Sequence, residues 1–263
     1  VGSTLFFAAN DATNGRELWM SDGTAVGTVL IKDIYSGATS SAPANLTAVG
    51  STIYFLADDG SSGIELWKSD GTTVGTVLVS DINPGPDSSG IGSFVVLGPT
   101  LIFRANDGAH GYELWKSDGT APGTAMVKDI YPGPMDSYPT NLVAVGSVVY
   151  FAAMDGLGGG ELWMTDGTTA GTTKIALVSP GNSSSFVGRP VPLGSKLYFS
   201  SADAVHGYEL WVSDGTTGGT FLLEDLNPGT NSSFPYNLTA IGSTLYMSAN
   251  DGISGTELWA VGP

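Results

Sequence analysis

The sequence has 263 residues and no cysteine, which excludes disulfides and thiolate metal centres. Charge is scarce: Asp, Glu, Lys and Arg make up 13% of the chain, against roughly a quarter in an average globular protein. Nine basic residues face 25 acidic ones, a net charge of −16. Phosphate binding needs clustered Lys and Arg, so nucleic acid is excluded as a partner, and an acidic membrane surface with it. The acidity suits cations as partners or serves only to keep the chain soluble. No run of 18 apolar residues is present, so membrane insertion by a helix is not expected. No secretion signal is visible, and Val1 is not an initiator methionine, so the sequence reads as a mature or excised fragment. Helical periodicity is missing too.

What is abundant is glycine, with 38 residues, alongside 14 prolines and 41% hydrophobic residues. Strand-forming residues fill the stretches between these turn formers, a pattern that reads as all-β. The stretches repeat. Glu-Leu-Trp occurs six times, with Trp19, Trp67, Trp115, Trp163, Trp211 and Trp259 at a constant interval of 48. The same interval aligns Gly2, Gly50, Gly98, Gly146, Gly194 and Gly242, which mark the starts of the repeat units. The last unit is truncated.

One unit shows the pattern. Asn45–Val49 is a short apolar strand, Gly50-Ser51 a hairpin turn, and Thr52–Leu56 a second strand. A loop from Asp58 to Gly63 leads to Glu65–Lys68, and a turn from Ser69 to Thr76 leads to Val77–Val79. Short turns join four strands into one antiparallel sheet, and only the long Pro/Gly-rich stretch after Asp81 can cross to the next sheet. A four-stranded unit of this length, repeated, is a β-propeller blade; a solenoid is the alternative. The expectation is one propeller domain over 1–263, with complete blades starting near Asn45, Gly92, Asn141 and Arg189. The first unit lacks its first strand and the last its fourth. Six Trp strands favour six blades, while a five-bladed ring with end overlap, in which 237–241 completes the first blade, stays open.

The repeated columns supply the candidate residues. The tryptophans are expected to fill the space between neighbouring blades, or else to form a ring of exposed aromatics that stack on sugars. The segment Ser-Asp-Gly-Thr carries Asp22, Asp70, Asp118, Asp166 and Asp214, with Thr165 replacing the serine in the fourth unit. Its side chains can bond local N–H groups, and this reads as a turn lock similar to the Asp-box turn of other propellers. In the sixth unit Ala260–Pro263 stands there instead.

Each unit also pairs an Asp with a Glu six residues on: Asp11 and Glu17, Asp59 and Glu65, Asp107 and Glu113, Asp155 and Glu161, Asp203 and Glu209, Asp251 and Glu257. Two carboxylates with loop carbonyls suit weak Ca²⁺ binding, although the spacing matches no established calcium loop. The other reading is that these residues lock the hairpin or are solvated edge charges. No other cofactor is expected. Catalytic signatures are missing: the two histidines, His110 and His206, share one repeat column, and no nucleophile motif accompanies them. A catalytic site usually breaks repeat symmetry with unique residues, so an enzyme is not expected.

At Glu-Leu-Trp-x-x-Asp-Gly-Thr the chain resembles the ELWxxDGT repeat family of bacterial exported proteins. The matching segments are Glu17–Thr24, Glu65–Thr72, Glu113–Thr120, Glu161–Thr168 and Glu209–Thr216. The resemblance implies a secreted or cell-surface bacterial protein and lends no active-site residues.

Four functions follow as expectations. A non-catalytic extracellular scaffold, engaging a protein or polymer through its face loops, comes first. A multivalent lectin, a filament subunit assembled by strand exchange, and a glycan hydrolase are the alternatives. A monomer is favoured over a homo-oligomer or filament.

Overall fold

The computed structural model describes residues 1–176 and 187–262. Among them there is no helix, and every sheet is antiparallel with its strands in chain order. The chain divides into two compact units, Val1–Asp129 with Gly133–Met135, and Ile130–Pro132 with Asp136–Pro263.

The first unit holds three sheets. One has three strands, β1 (Leu5–Asp11), β2 (Gly15–Ser21) and β3 (Val29–Lys32). The next has β4 (Ala44–Val49), β5 (Thr52–Asp58), β6 (Ile64–Ser69) and β7 (Val77–Ser80). The third has β8 (Gly92–Leu97), β9 (Thr100–Asn106), β10 (Tyr112–Ser117) and β11 (Ala125–Lys128). The second unit repeats the scheme. Its sheets are β12 (Thr140–Val145), β13 (Val148–Ala153), β14 (Glu161–Thr165) and β15 (Thr173–Ala176); β16 (Val191–Leu193), β17 (Lys196–Asp203), β18 (Gly207–Ser213) and β19 (Phe221–Glu224); and the three-stranded β20 (Tyr236–Ile241), β21 (Thr244–Asn250) and β22 (Thr256–Val261). The segment 237–241 thus opens a sheet of its own, with Ile241 opposite Thr244 across the Gly242-Ser243 turn.

Two irregularities recur. The Trp strand slips register against the fourth strand between Leu66 and Trp67, and likewise in the other sheets that have both strands. The first strand slips between Ala44 and Thr47, where Asn45 has a φ of 54°. Such bulges sharpen the twist of a strand, and asparagine tolerates the left-handed region better than most residues. Ser93, Asn141 and Asn237 hold the same conformation in their own repeats.

The core lies between sheets. Leu18, Ile31 and Ile34 of the first repeat pack with Ile53, Phe55 and Trp67 of the second. Leu66, Val79 and Ile82 pack with Leu101, Phe103 and Trp115. In the second unit Leu162 and Ile175 meet Phe199 and Trp211, and Leu210 meets Leu245 and Met247 with Trp259 beside them. Leu18, Leu66, Leu162 and Leu210 therefore face the following sheet of their unit, while Trp67, Trp115, Trp211 and Trp259 face the preceding one. A strand buried on both faces loses simple alternation and reads as a continuous apolar run, as Thr52–Ala57 does.

Candidate functional site

The Asp–Glu pair of each repeat serves two separate purposes. Asp59 Oδ1 accepts the backbone N–H groups of Ser61 and Ser62, each at 2.8 Å. Burial raises its pKa, but those N–H bonds outweigh it and hold the carboxyl below its usual range. In the third and fifth repeats the loop adds a histidine: His110 Nδ1 lies 2.8 Å from Asp107 Oδ2, and His206 Nδ1 2.8 Å from Asp203 Oδ2. Asp155 instead pairs with Lys174 Nζ at 2.6 Å. Asp11 and Asp251 cap their own loops, through Asn14 and Ser254.

The glutamates sit elsewhere. Glu17, Glu65, Glu113, Glu161 and Glu209 are fully buried. Glu65 Oε1 accepts Ser89 N–H at 2.9 Å, and its Oε2 accepts the Ser89 hydroxyl at 2.7 Å and Ile82 N–H at 3.2 Å. Glu17 does the same with Ser41 and Ile34, and Glu209 with Ser233 and Leu226. The serine's own carbonyl then accepts an N–H from the next sheet: Ser41 from Asp58, Ser89 from Asn106, Ser233 from Asn250. The buried glutamate is therefore a latch that ties the long connector of one repeat to the second strand of the next. A solvated edge charge does not describe it, because it has no exposed surface. Its charge neighbour is Asp81, not Asp59, and the Asp81 Oδ1 atom is buried without a hydrogen-bond partner. Burial pushes the Glu65 carboxyl up to about 7, against the opposing pull of Ser89 and Ile82. Among the described residues no group of three His, Asp or Glu side chains is placed to hold a metal ion.

The Ser-Asp-Gly-Thr segments close on themselves. Asp70 Oδ1 accepts Thr72 N–H at 2.9 Å and the Thr72 hydroxyl at 2.7 Å, while Ser69 and Thr76 share a hydroxyl bond of 2.7 Å. Asp22, Asp118, Asp166 and Asp214 repeat this pattern with their own threonines. A side chain at Gly75 would collide with the Asp70 carboxylate, so the turn includes a glycine five residues after the Asp. Trp67, Trp115, Trp163 and Trp211 are buried, whereas Trp19 and Trp259 are half-buried.

One groove departs from the repeat. In the second unit the starts of the first strands β12, β16 and β20 border a groove of about 930 Å³. Tyr208, Phe234 and Tyr236 line one side, with Arg189, Asn141 and Asn237 among the polar groups. The rings run in sequence: Tyr208 and Phe234 have centroids 5.8 Å apart and planes 21° apart, and Phe234 and Tyr236 have centroids 6.3 Å apart and planes 7° apart. Phe234 is 48% exposed and Tyr236 58% exposed. Their setting is fixed from below, since Phe234 N–H bonds the Tyr208 carbonyl at 3.2 Å and Ser233 is held by Glu209. Phe234 has a φ of 47°, a conformation that side chains seldom adopt, and Ala42 and Tyr138 share it at the same position of their repeats.

The three aromatic positions are not shared by the other described repeats. The equivalent residues are Ile64, Gly90 and Gly92 after the second repeat, and Arg16, Ala42 and Ala44 after the first. The third repeat comes nearest, with Tyr112, Tyr138 and Thr140. Arg189 likewise stands where Asn45, Ser93, Asn141 and Asn237 stand elsewhere. These departures from the 48-residue register are legible in the sequence itself.

No family model matches the chain, and no curated protein matches it. Solved structures do. Puromycin hydrolase matches at 16% identity with a TM-score of 0.50, over 89% of this chain and 37% of that one. Oligopeptidase B from Leishmania major matches at 10% identity with a TM-score of 0.53, over 97% of this chain and 38% of that one. The β-propeller domain of the Trilobed protease from Pyrococcus furiosus matches at 10% identity with a TM-score of 0.47, over 98% of this chain and 78% of that one. This chain spans well under half the length of the first two. At these identities the likeness to the first two is one of fold alone.

Proposed function

We propose that the chain is a non-catalytic binding scaffold, secreted or at the cell surface, whose ligand site is the groove bordered by Tyr208, Phe234 and Tyr236. The observation that carries this reading is the contrast between columns. The conserved-by-repeat carboxylates, Glu17, Glu65 and Glu209 among them, are consumed in buried hydrogen bonds. The groove, in contrast, presents partly exposed rings. Binding residues on loops held by a rigid scaffold are the usual arrangement for recognition. The same reading takes the six sheets as successive blades of one six-bladed propeller, supported by the constant interval of 48 and the identical Glu–Ser latch. The extracellular setting rests on the resemblance to ELWxxDGT repeat proteins.

The test is a pair of arrays, one of glycans and one of peptides, probed with the wild-type chain and with the double variant Phe234→Ala/Tyr236→Ala. Signals that disappear in the double variant, with no turnover of the bound compound on prolonged incubation, support the reading. Identical profiles for the two proteins, or cleavage of any bound compound, overturn it.

A further inference from the structure

We propose that the ligand of this groove is an uncharged pyranose glycan, laid along the Tyr208–Phe234–Tyr236 series; this rests on the reading of the groove as a binding site. Three observations select that chemistry.

The rings come first. Parallel rings in face-to-face contact would lie about 3.5–4 Å apart, so with centroids at 5.8 and 6.3 Å no ring is fully covered by the next. Rings set in series this way form a terrace in which part of each face stays uncovered. The exposure of Phe234 and Tyr236 agrees with this. Flat apolar faces at such intervals match the C–H faces of consecutive pyranose rings. A single sugar covers one step of the terrace, and a chain covers several.

Charge comes second. The chain carries a net charge of −16, which repels a polyanion. Yet the groove lining contains no Asp or Glu, so a polycation finds no counter-charge there. The one charged lining residue is Arg189, which is exposed and enters no ion pair among the described residues. A neutral ligand avoids both penalties, and the guanidinium fork donates to vicinal hydroxyls.

Hydrogen-bonding sense comes third and separates a glycan from a proline-rich peptide, the other ligand that aromatic grooves take. Asn141 spends one amide hydrogen on the Val187 carbonyl at 3.0 Å, which turns the amide and leaves Oδ1 as an acceptor. The Ser200 hydroxyl also lines the groove, and Thr239 is oriented by donating to the Asn237 carbonyl at 3.0 Å. The site therefore presents acceptors beside the donors of Arg189. A polyproline backbone has no N–H to give those acceptors. Every sugar hydroxyl both donates and accepts.

Isothermal titration calorimetry on the full chain tests the inference, with cellohexaose, xylohexaose, mannohexaose and maltohexaose as neutral probes, hexagalacturonate as the acidic one and decaproline as the peptide. At least one neutral hexasaccharide is expected to bind, and more tightly than its disaccharide. Tyr236→Ala is expected to weaken it tenfold or more, Tyr236→Phe less than threefold, and Arg189→Gln several-fold. Tyr236 is largely exposed, so truncation leaves the fold in place, and thermal melting confirms that in each variant. The inference is overturned if no neutral hexasaccharide binds, or if the one that binds is indifferent to Tyr236→Ala. Decaproline or hexagalacturonate binding in place of the neutral probes, lost in Tyr236→Ala, refutes the glycan but keeps the groove as a binding site. Arrays that are equally blind to the groove variants remove both.

Discussion

Glu209-Leu210-Trp211 and Glu257-Leu258-Trp259 are the same three residues in the same column, and they live in different surroundings. In the fifth repeat Glu209 is fully buried, Leu210 is 1% exposed and Trp211 8% exposed. In the sixth, Leu258 is 76% exposed, Glu257 is exposed, and Trp259 is half-buried. Trp259 even finds a partner that Trp211 lacks, donating its Nε1–H to the Ala249 carbonyl at 3.0 Å. What differs is the neighbour. Sheet six follows Leu210, and no sheet follows Leu258 in its unit. Burial in this fold is a property of the junction between repeats, and each motif acquires its role only when the next repeat is packed on it. That is the nearest-neighbour behaviour of repeat proteins.

The largest effect expected from that contrast is at tryptophan. Trp211→Ala should cost about 3–5 kcal/mol, the range for truncating a buried aromatic. Trp259→Ala should cost less than half as much, because that ring is partly exposed already. Urea melts of the two variants decide it, and equal losses would mean that the sixth repeat is as firmly packed as the fifth. The glycine column gives the next contrast. Gly63 has a φ of 64°, and a Cβ there would lie 2.8 Å from backbone atoms of Asp87, Pro86 and Ser88. Gly255 has a φ of 81° with nothing within 4 Å. Gly255→Ala should cost only the left-handed strain, roughly 1–2 kcal/mol. Gly63→Ala should exceed it clearly, since backbone must move as well. Paired melts check this, and a Gly63 cost no larger than that of Gly255 breaks the comparison.

Much of this architecture was legible in the sequence. The interval of 48 and the two-residue Gly-Ser turns fix which strands pair, and the structure has its sheets where those signals put them, including the missing first strand before Leu5. The Ser-Asp-Gly-Thr turn was legible for the same reason: its bonds span at most seven residues. The glutamate latch was not. Its partners lie 17 and 24 residues away, across a connector with no periodicity, so spacing alone offered the nearby Asp59 as partner. The groove was missed for a further reason. Its rings come from β18, from the connector before β20 and from the first residue of β20, and only packing sets Tyr208 beside Phe234.

The latch gives a third, intermediate effect. Glu65→Gln should cost about 1–3 kcal/mol, because the amide keeps one acceptor but turns its NH2 toward a backbone N–H, of Ile82 or of Ser89, that then has no acceptor. Glu257→Gln should stay within roughly 0.5 kcal/mol, as for most surface substitutions. The pH profile sharpens the contrast. Burial raises the folded Glu65 pKa from 4.5 to about 7, so between those values the folded state binds the extra proton. Stability therefore falls as pH rises from about 4.5 to about 7. Burial raises Glu209 in the same direction. Glu65→Gln should flatten this fall in denaturant melts taken across the window, and an unchanged slope would exclude Glu65 as its source.

The smallest effect belongs to the histidine loops, and its sign is also determined. The hydrogen bond that His110 donates to the Asp107 carboxylate raises the His110 pKa above 6.5, and Asp203 does the same for His206. A cation favoured by folding stabilises while it is protonated, so this contribution is complete below about pH 6.5 and is lost as pH rises through the raised value. Both pairs are local to their loops, at positions i and i+3, and His110 is 44% exposed, so solvent and salt screen them. The second and sixth repeats carry Ser62 and Ser254 at the equivalent position, where the loop closes on Asp59 and Asp251 without any titrating partner. His110→Ser therefore copies a loop the protein already uses. It should leave stability near pH 8 unchanged and lower it slightly near pH 6, a difference that shrinks at high salt. Melts at the two pH values, each at low and high salt, read this directly. A loss at pH 8 as large as that at pH 6 would show that the ring is there for packing, with its charge irrelevant.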